Sequence, residues 1–583
     1  MRRQEKDGIR LELVKNAFAA IADEMAVTVV RTARSYVIKE AMDFSTGLMD
    51  SEGALIAQGL CLPVHMGSFP PTMQAVLDEF GRQLAPGDIY VLNDPYVGRG
   101  IHLPDIFVFQ PIFCDAQLLG FATAIGHQTD IGGRVAGGNA CDNTEIFQEG
   151  LRIPPLKLFD RGTPNETLFK LLNLNVRIPE KVFGDVMATV AACRRGERGV
   201  LELSARYGTD TIVRDMRDLQ DYSEKITRAE LGEFPDGEWE FEDYIDNDGF
   251  DPAPIRILVK LTKVGTDLHV DFSGTSGQVK GSINMPISLT HSCVYACVRS
   301  VLDPSIPTNS GFMRPIHVHA QPGTIVNPTC PAPVAARGLT AMRTTEAIWG
   351  ALAQMLPHKV FACGVQGDLG VTIAGYRPGA HPFVHLEFLF GTWGGRPTKD
   401  GIDGLSSLAV NYSNSPIEVI EAEQPIRINR YSFRADSGGP GKHRGGLGME
   451  REYQLVDVDE AVLQVRSDRQ QFRPYGLQGG LPGATAANVL NPGGPGEENL
   501  PGKFMMTFKR GDSYRSVLAG GGGWGDPLDR DPEAVLDDVR NEKVSPESAQ
   551  RDYGVVLNRA PLAVDHAATR ELRQRRRAER TVE

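Results

Sequence analysis

Histidine is scarce, 12 in 583 residues, so the places where it meets carboxylates are the first to test for chemistry. The densest such stretch runs from Glu40 to Asp130 and holds Glu40, Asp43, His65, His102, Asp105, His127 and Asp130. Leu103 and Pro104 separate His102 from Asp105, and a proline there excludes a regular helix through the segment. An extended or turning backbone can still converge both side chains on one ion. His127 ends the apolar run LLGFATAI and opens a Gly-rich stretch, a junction where a strand fixes a residue and a loop leaves room for a ligand. Two imidazoles with one or two carboxylates suit Zn, Mn or Fe(II), with a coordination position open for water or substrate. Asn93, Asp94 and Asp130 would then orient the ligands or take a proton. On spacing alone, the same histidines read equally well as structural residues satisfied in polar networks.

Other candidates read as structure. His317 and His319 alternate onto one face of a strand in RPIHVHAQPG, as the HxH pair of a metal barrel would, but no repeated βα units accompany them, and an exposed strand face is the better reading. The run AGGGGWGDP at 519–527 lacks the Lys-Ser/Thr ending of a phosphate loop, so it reads as a glycine-rich turn rather than an anion nest. No GxxxxGK[ST] and no GxSxG occurs, which leaves this chain without a nucleotide loop or a serine elbow of its own. The basic tail TRELRQRRRAER reads as a solvated helix end, with contact to an acidic partner protein as the alternative. The 8 cysteines, Cys61 among them, form no CxxC pair, and Cys293 and Cys297 read as buried helical thiols, so no disulfides are expected.

The elements that must position these residues follow from periodicity. Ile9 to Arg34 carries apolar residues at helical spacing. Phe44 to Met49 and Ala54 to Ala57 form a hairpin around Asp50-Ser51-Glu52-Gly53. IYVLN, IFVFQPIF and LLGFATAIG are strands, the last two buried on both faces, and helices return at about 164–173 and 180–207. IRILVKLTKVGTDLHVDF alternates as strand, turn and strand, and Ser288 to Leu302 is helical. From Arg427 the chain is strand-like and glycine-rich, then helical at its end. The fold class is mixed α/β and α+β, in three domains: 1–235 α/β with the metal site, 236–426 α+β, and 427–583 β-rich with a helical tail.

A net charge of -13 argues against a phosphate-backbone binder, and 41% apolar with 23% charged residues is a folded, soluble composition. With no apolar leader and no run of about 18 apolar residues, the expectation is a cytoplasmic protein that binds neither nucleic acid nor membrane.

The strings NDPYVGRGIHLPDIFVFQPIF, AIGHQTDIGG, TEIFQEGLRIPPLKL, VDFSGTSGQVKGSINMP, GGPGKHRGGLG, SDRQQFRPYGLQGG and AGGGGWGDPLDRDPEAVLDDVRNEKVS, in this order over almost the whole chain, resemble the hydantoinase B/oxoprolinase family. The resemblance implies a B-type subunit in a hetero-oligomer with a hydantoinase A-type partner, where the partner binds ATP and phosphorylates a carbonyl or enol oxygen. It implies a divalent metal on His102, Asp105, His127 and either Asp43 or Glu40; beside these, Asp130 or His65 is the expected general base or orienting group. Arg99 and Ile101 stand where the family commonly has smaller residues, which implies an altered substrate choice. The activity implied is hydrolysis of a cyclic amide such as a hydantoin or lactam. Carboxylation of the acetone or acetophenone kind is the alternative, and a non-catalytic scaffold capping the ATP-binding partner is the alternative of another class.

Overall fold

The structure is a computed structural model that describes residues 2–60, 62–365, 369–389 and 391–582, so Cys61 lies outside the described residues. The first helix, α1 (Arg2–Thr32), buries Val14, Phe18, Ile21, Met25 and Val29 along one stripe, the spacing of an amphipathic helix. A single turn, α2 (Tyr36–Lys39), leads to the expected hairpin, β1 (Phe44–Asp50) and β2 (Leu55–Gln58). Then come α3 (Phe69–Phe80), β3 (Ile89–Leu92), β4 (Asp105–Cys114), β5 (Gln117–His127), β6 (Leu156–Asp160) and β7 (Thr163–Pro164). These strands form one sheet in the order β2-β1-β5-β4-β3-β6-β7.

Strand β4 explains its own continuous apolar run. Ile106 and Val108 face one core with α1, while Phe107 and Phe109 face another, so both sides of the sheet are covered. The covering helices on the first side are α4 (Glu166–Asn175), α5 (Pro179–Tyr207) and α6 (Thr209–Gly232). Periodicity stops the helical reading at Tyr207, where Gly208 takes φ 89°, but the chain resumes at once as α6.

The core on the other side is shared with a second sheet. It contains β8 (Gly237–Ile245), β9 (Ile255–Val264), β10 (Asp267–Asp271) and β11 (Ile316–His319), in the order β11-β10-β9-β8. Between and after these strands lie α7 (Ile287–Val301), α8 (Ser310–Met313) and α9 (Gly338–Met355). His317 and His319 are exposed on β11; His317 Nε2 is 2.8 Å from Asp267 Oδ1, and its ring stacks on His269. That agrees with a surface strand face.

The rest is β-rich. In chain order it contains β12 (Leu369–Arg377), β13 (His381–Leu389), α10 (Ile417–Glu423), β14 (Ile426–Phe433), β15 (Met449–Leu455), β16 (Glu460–Ser467), β17 (Ala487–Leu490), β18 (Glu498–Leu500), β19 (Lys503–Lys509) and β20 (Ser513–Val517). They pair as β13-β12-β16-β19 and β14-β15-β20-β17-β18. Beside them, glycine-rich segments pack backbone against backbone: Gly439 N–H donates to Gly521 O, Gly395 N–H to Gly522 O and Gly523 N–H to Leu481 O. A Cβ on Gly520 or Gly522 would overlap the carbonyl of Ser437 or Tyr475, so the glycines of 519–527 are structural, as expected, but they form a packed backbone layer and not a lone turn.

The chain ends in α11 (Pro532–Arg540), α12 (Pro546–Tyr553), a small hairpin of β21 (Leu557–Arg559) and β22 (Leu562–Val564), and α13 (His566–Val582). The basic tail is less free than a solvated end. Arg573 donates to the carbonyls of Tyr553 and Arg530, Arg577 pairs with Asp529, and Arg580 pairs with Asp526. The cysteines within the described residues are free thiols, as expected. No described helix is long and apolar enough to cross a membrane.

Candidate metal centre

Strand pairing brings the chemistry together. Asp105, first residue of β4, lies directly opposite His127, last residue of β5, in antiparallel register, so their side chains emerge on one face. His102 precedes β4 by a turn in which Asp105 N–H donates to His102 O at 3.2 Å. Asn93 holds that turn: its amide donates to the carbonyls of Leu103 (2.7 Å) and Leu151 (2.9 Å), and its Oδ1 accepts from Ile153 N–H (2.7 Å). Asp43 follows Met42, which takes φ 65°, and its carbonyl accepts His127 N–H at 3.1 Å, so it sits against the end of β5. His65 closes a short turn, with Nδ1 2.9 Å from Ser45 Oγ.

The ligand atoms of His102, Asp105 and His127 all lie within 4.8 Å of one another, and so do those of Asp43, His65 and Asp105. All five side chains are buried, at most 1% exposed. The orientation of each ring suits a cation. His102 Nδ1 lies 3.3 Å from the Ala335 carbonyl, where its N–H donates, leaving the Nε2 lone pair facing inward. Nε2 is 3.0 Å from Asp105 Oδ2 without hydrogen-bond alignment. His127 presents Nε2 to Asn139 at 3.3 Å, and its Nδ1 has no partner. Both oxygens of Asp43 and Oδ1 of Asp105 are likewise without a well-formed hydrogen bond. Buried acceptors left in this state cost free energy. A divalent cation on the His102, Asp105 and His127 triad would satisfy the acceptors there, Asp43 reaches that triad through the shared Asp105, and the mixed nitrogen and oxygen set fits Zn, Mn or Fe(II).

The electrostatics agree. Burial, then the neighbouring Asp105, raises the Asp43 pKa well above the carboxylate range, against a lowering by the Tyr412 hydroxyl. Burial acts in the same direction on Asp105, but the positive charge beside it outweighs burial and holds this carboxyl ionised; Arg337 Nη2 donates to its Oδ2 at 2.7 Å. Burial lowers His65 and His102 to about 4 and depresses His127 as well, aided for His102 by Arg337 and for His127 by His102. Neutral imidazoles are the form that binds metal.

Two of the candidate residues lie elsewhere. Glu40 is partly exposed at the end of α2, outside the cluster. Asp130 clamps a loop: Oδ1 accepts Gly137 N–H at 3.0 Å and pairs with Arg177 at 3.1 Å, while Oδ2 accepts Arg177 N–H at 2.6 Å. Asp94 is used similarly, by Tyr96 N–H, Val97 N–H and Arg152. Arg99, with φ 58°, pairs with Asp78 on the surface, and Ile101 is a core residue. Arg337, Tyr412 and Arg466 border the cluster from distant segments and were not found by motif reading. The one local signal for Arg466 is a charged residue in the strand AVLQVRS.

Such a fold and site define a class, a multidomain α/β protein with a buried carboxylate–imidazole cluster at the ends of two interior strands. The family model for hydantoinase B/oxoprolinase matches residues 7–527. The chain belongs to that family. It is 34% identical over 586 residues to the B-type subunit of a putative D-/L-hydantoinase of Pseudomonas sp. (strain NS671), covering 97% of this chain and 98% of the relative. The crystal structure of an ATP-dependent caprolactamase from Pseudomonas jessenii superposes with a TM-score of 0.90 at 32% identity, covering 97% of this chain and 99% of that one. A nucleotide-free acetone carboxylase structure gives a TM-score of 0.92 over 100% of this chain and 84% of its own, at 19% identity, a likeness of fold alone.

Proposed function

We propose that this chain is the B-type subunit of an ATP-dependent cyclic amide hydrolase of the hydantoinase or lactamase type, acting on an amide that an A-type partner has phosphorylated. The observation that carries this reading is the buried triad of His102, Asp105 and His127, with Asp43 and His65 joined to it through Asp105, beside a pocket. The names of the similar proteins, a B-type hydantoinase subunit and an ATP-dependent caprolactamase, support the reaction class and the hetero-oligomer.

Phosphorylating the amide oxygen turns a resonance-stabilised carbonyl into an imidate-like group whose carbon is far more open to attack by water. The chemistry a divalent cation supplies when bound here is Lewis-acid polarisation of an oxygen and acidification of water. His102, Asp105 and His127 would hold it, with Asp43 as the further carboxylate. Arg337 keeps Asp105 ionised, and the Ala335 carbonyl fixes the His102 ring. His65, neutral and steadied by Ser45, is placed to accept a proton as water attacks, in the role that either it or Asp130 could fill by sequence. Ring opening and release of phosphate complete the reaction.

Elemental mass spectrometry on the purified chain tests the site. About one equivalent of Zn, Mn or Fe is expected in the parent chain and in Glu40→Gln, and none in Asp105→Ala. Absence of metal from the parent after supplementation would remove the hydrolytic role and favour a scaffold. Co-expression with an A-type partner and a panel of cyclic amides tests the reaction; incorporation of labelled bicarbonate into product, in place of ring opening, would show a carboxylase.

A further inference from the structure

Arg466, on β16, is 5% exposed, and its side chain crosses the bare backbone of Gly370, its register partner on β12. The guanidinium lies 4.9 Å from the ring centre of Phe388, and its Nη1 is buried without an acceptor. Among the described residues it has no ion pair. An arginine in this state carries an uncompensated buried charge, which is destabilising unless a ligand supplies the counter-charge. Burial, then repulsion by Arg337, lowers its pKa to about 9, which leaves it charged at neutral pH.

Arg466 opens into the same pocket as Arg337 and Gly338. Arg337 commits Nη2 to Asp105, but its Nε is buried and unpartnered. Gly338 is the first residue of α9, an 18-residue helix with no side chain capping its start. Leu339 N–H is taken by Ala336 O at 3.2 Å, which leaves the Gly338 and Thr340 N–H groups and the partial positive charge of a helix start.

We propose that Arg466, Arg337 and the first turn of α9 form an oxyanion subsite beside the carboxylate–imidazole cluster, and that it receives the phosphoryl group of a small substrate with an apolar body. The proposal rests on the metal reading of the preceding section and deepens it. When Asp43 and Asp105 both ligate as carboxylates, their two negative charges stand against two guanidiniums, Arg337 and Arg466, and the cation itself. A divalent cation on the cluster then leaves two positive charges uncompensated, which a phosphate monoester dianion neutralises and a carboxylate only half neutralises. Apart from Tyr412, the remaining wall is apolar, with Leu289, Leu339, Met342 and Val410 facing the space. Such a wall favours an unsubstituted or alkyl-bearing ring over one with polar groups. Together these place departure of phosphate in this chain, next to the reacting carbon.

Inorganic phosphate and hexanoate, titrated calorimetrically into the full-length chain with and without metal, test the subsite. The titrations use the parent, Arg466→Gln, Arg466→Lys and Gly338→Asp, with metal content and melting temperature measured on each sample. A Cβ at Gly338 meets nothing within 4 Å, and an acidic side chain suits a helix start, so Gly338→Asp folds while placing negative charge in the subsite. Expected is phosphate binding that weakens at least tenfold in Arg466→Gln and in Gly338→Asp and less in Arg466→Lys, with metal content unchanged. Arg466-dependent binding of hexanoate and not of phosphate would keep the oxyanion subsite and assign it to a carboxylate of the substrate. Phosphate binding that ignores Arg466, or no oxyanion binding to the parent chain, overturns the proposal. Metal absent from every sample sinks the hydrolytic reading separately, since Arg466-dependent binding is also read on the metal-free chain.

Discussion

Glu149 is buried without a counter-charge, yet it sets the position of a ligand to the cluster. Its Oε1 accepts the N–H groups of Val334 (2.8 Å) and Ala335 (2.9 Å), and the Ala335 carbonyl is the acceptor for His102. Burial pushes its carboxyl up to about 8 in spite of those two donors. The folded chain therefore holds a proton that the unfolded chain has released above its own carboxyl pKa of about 4.3. Its contribution is full below about pH 4.3, falls as pH rises toward 8, and is lost above. Glu149→Gln keeps the acceptor oxygen and removes the titration. Relative to the parent, the variant gains stability between pH 5 and pH 8.5 by several kcal/mol, roughly 5 at most; denaturant midpoints at the two pH values measure it, and parallel pH curves would count against it. At this scale much of the site was legible. His65, His102, Asp105, His127 and Asp43 were all recognisable as chemistry-bearing. Asp130 and Glu40 looked the same, and the fold sends them elsewhere because a carboxylate's role depends on which donor reaches it. For Asp130 that donor is Arg177, 47 residues along the chain.

At the scale of elements, legibility followed periodicity. Helix α1, the hairpin of β1 and β2, and the strands β4 and β5 carry local patterns that suffice. Helix α9 does not: nearly every residue from Leu339 to Met355 is buried, so it has no polar face to mark a period of 3.6. The glycine-rich segments were legible as turns but not as a layer, because their partners are other glycine segments far along the chain. Gly520→Ala is expected to cost about 3 kcal/mol or more, since the added Cβ meets the backbone of Ser437, which cannot rotate away. Gly338→Ala, where a Cβ meets nothing, is expected to melt at or above the parent temperature. Thermal melts of both variants check the contrast; equal melting temperatures would mean that the layer yields.

At the scale of the whole molecule, buried ion pairs tie the second sheet and its helices to the β-rich part. Arg343 on α9 donates to Asp468, just beyond β16, at 2.7 Å, and Arg469 pairs with Asp243 on β8 at 2.9 Å. Asp246 accepts the N–H groups of Gln470 and Phe472. Arg343→Met leaves Asp468 short of its closest counter-charge and is expected to cost about 3–5 kcal/mol, most of it regained when Asp468→Leu is added. Urea unfolding of the single and double variants decides; a double variant no more stable than the single would show that the pair is not what holds this junction. The same junction positions the site, because α9 delivers Arg337 and β16 delivers Arg466.

The sequence by itself determined the class of fold, the family and the chemistry available near His102 and His127, since these depend on residue types and on patterns a few residues long. Only the tertiary structure decided which carboxylates face those imidazoles and that two arginines, 129 residues apart, share one pocket with them. Convergence of that kind is set by strand register and helix packing, and no local pattern encodes it.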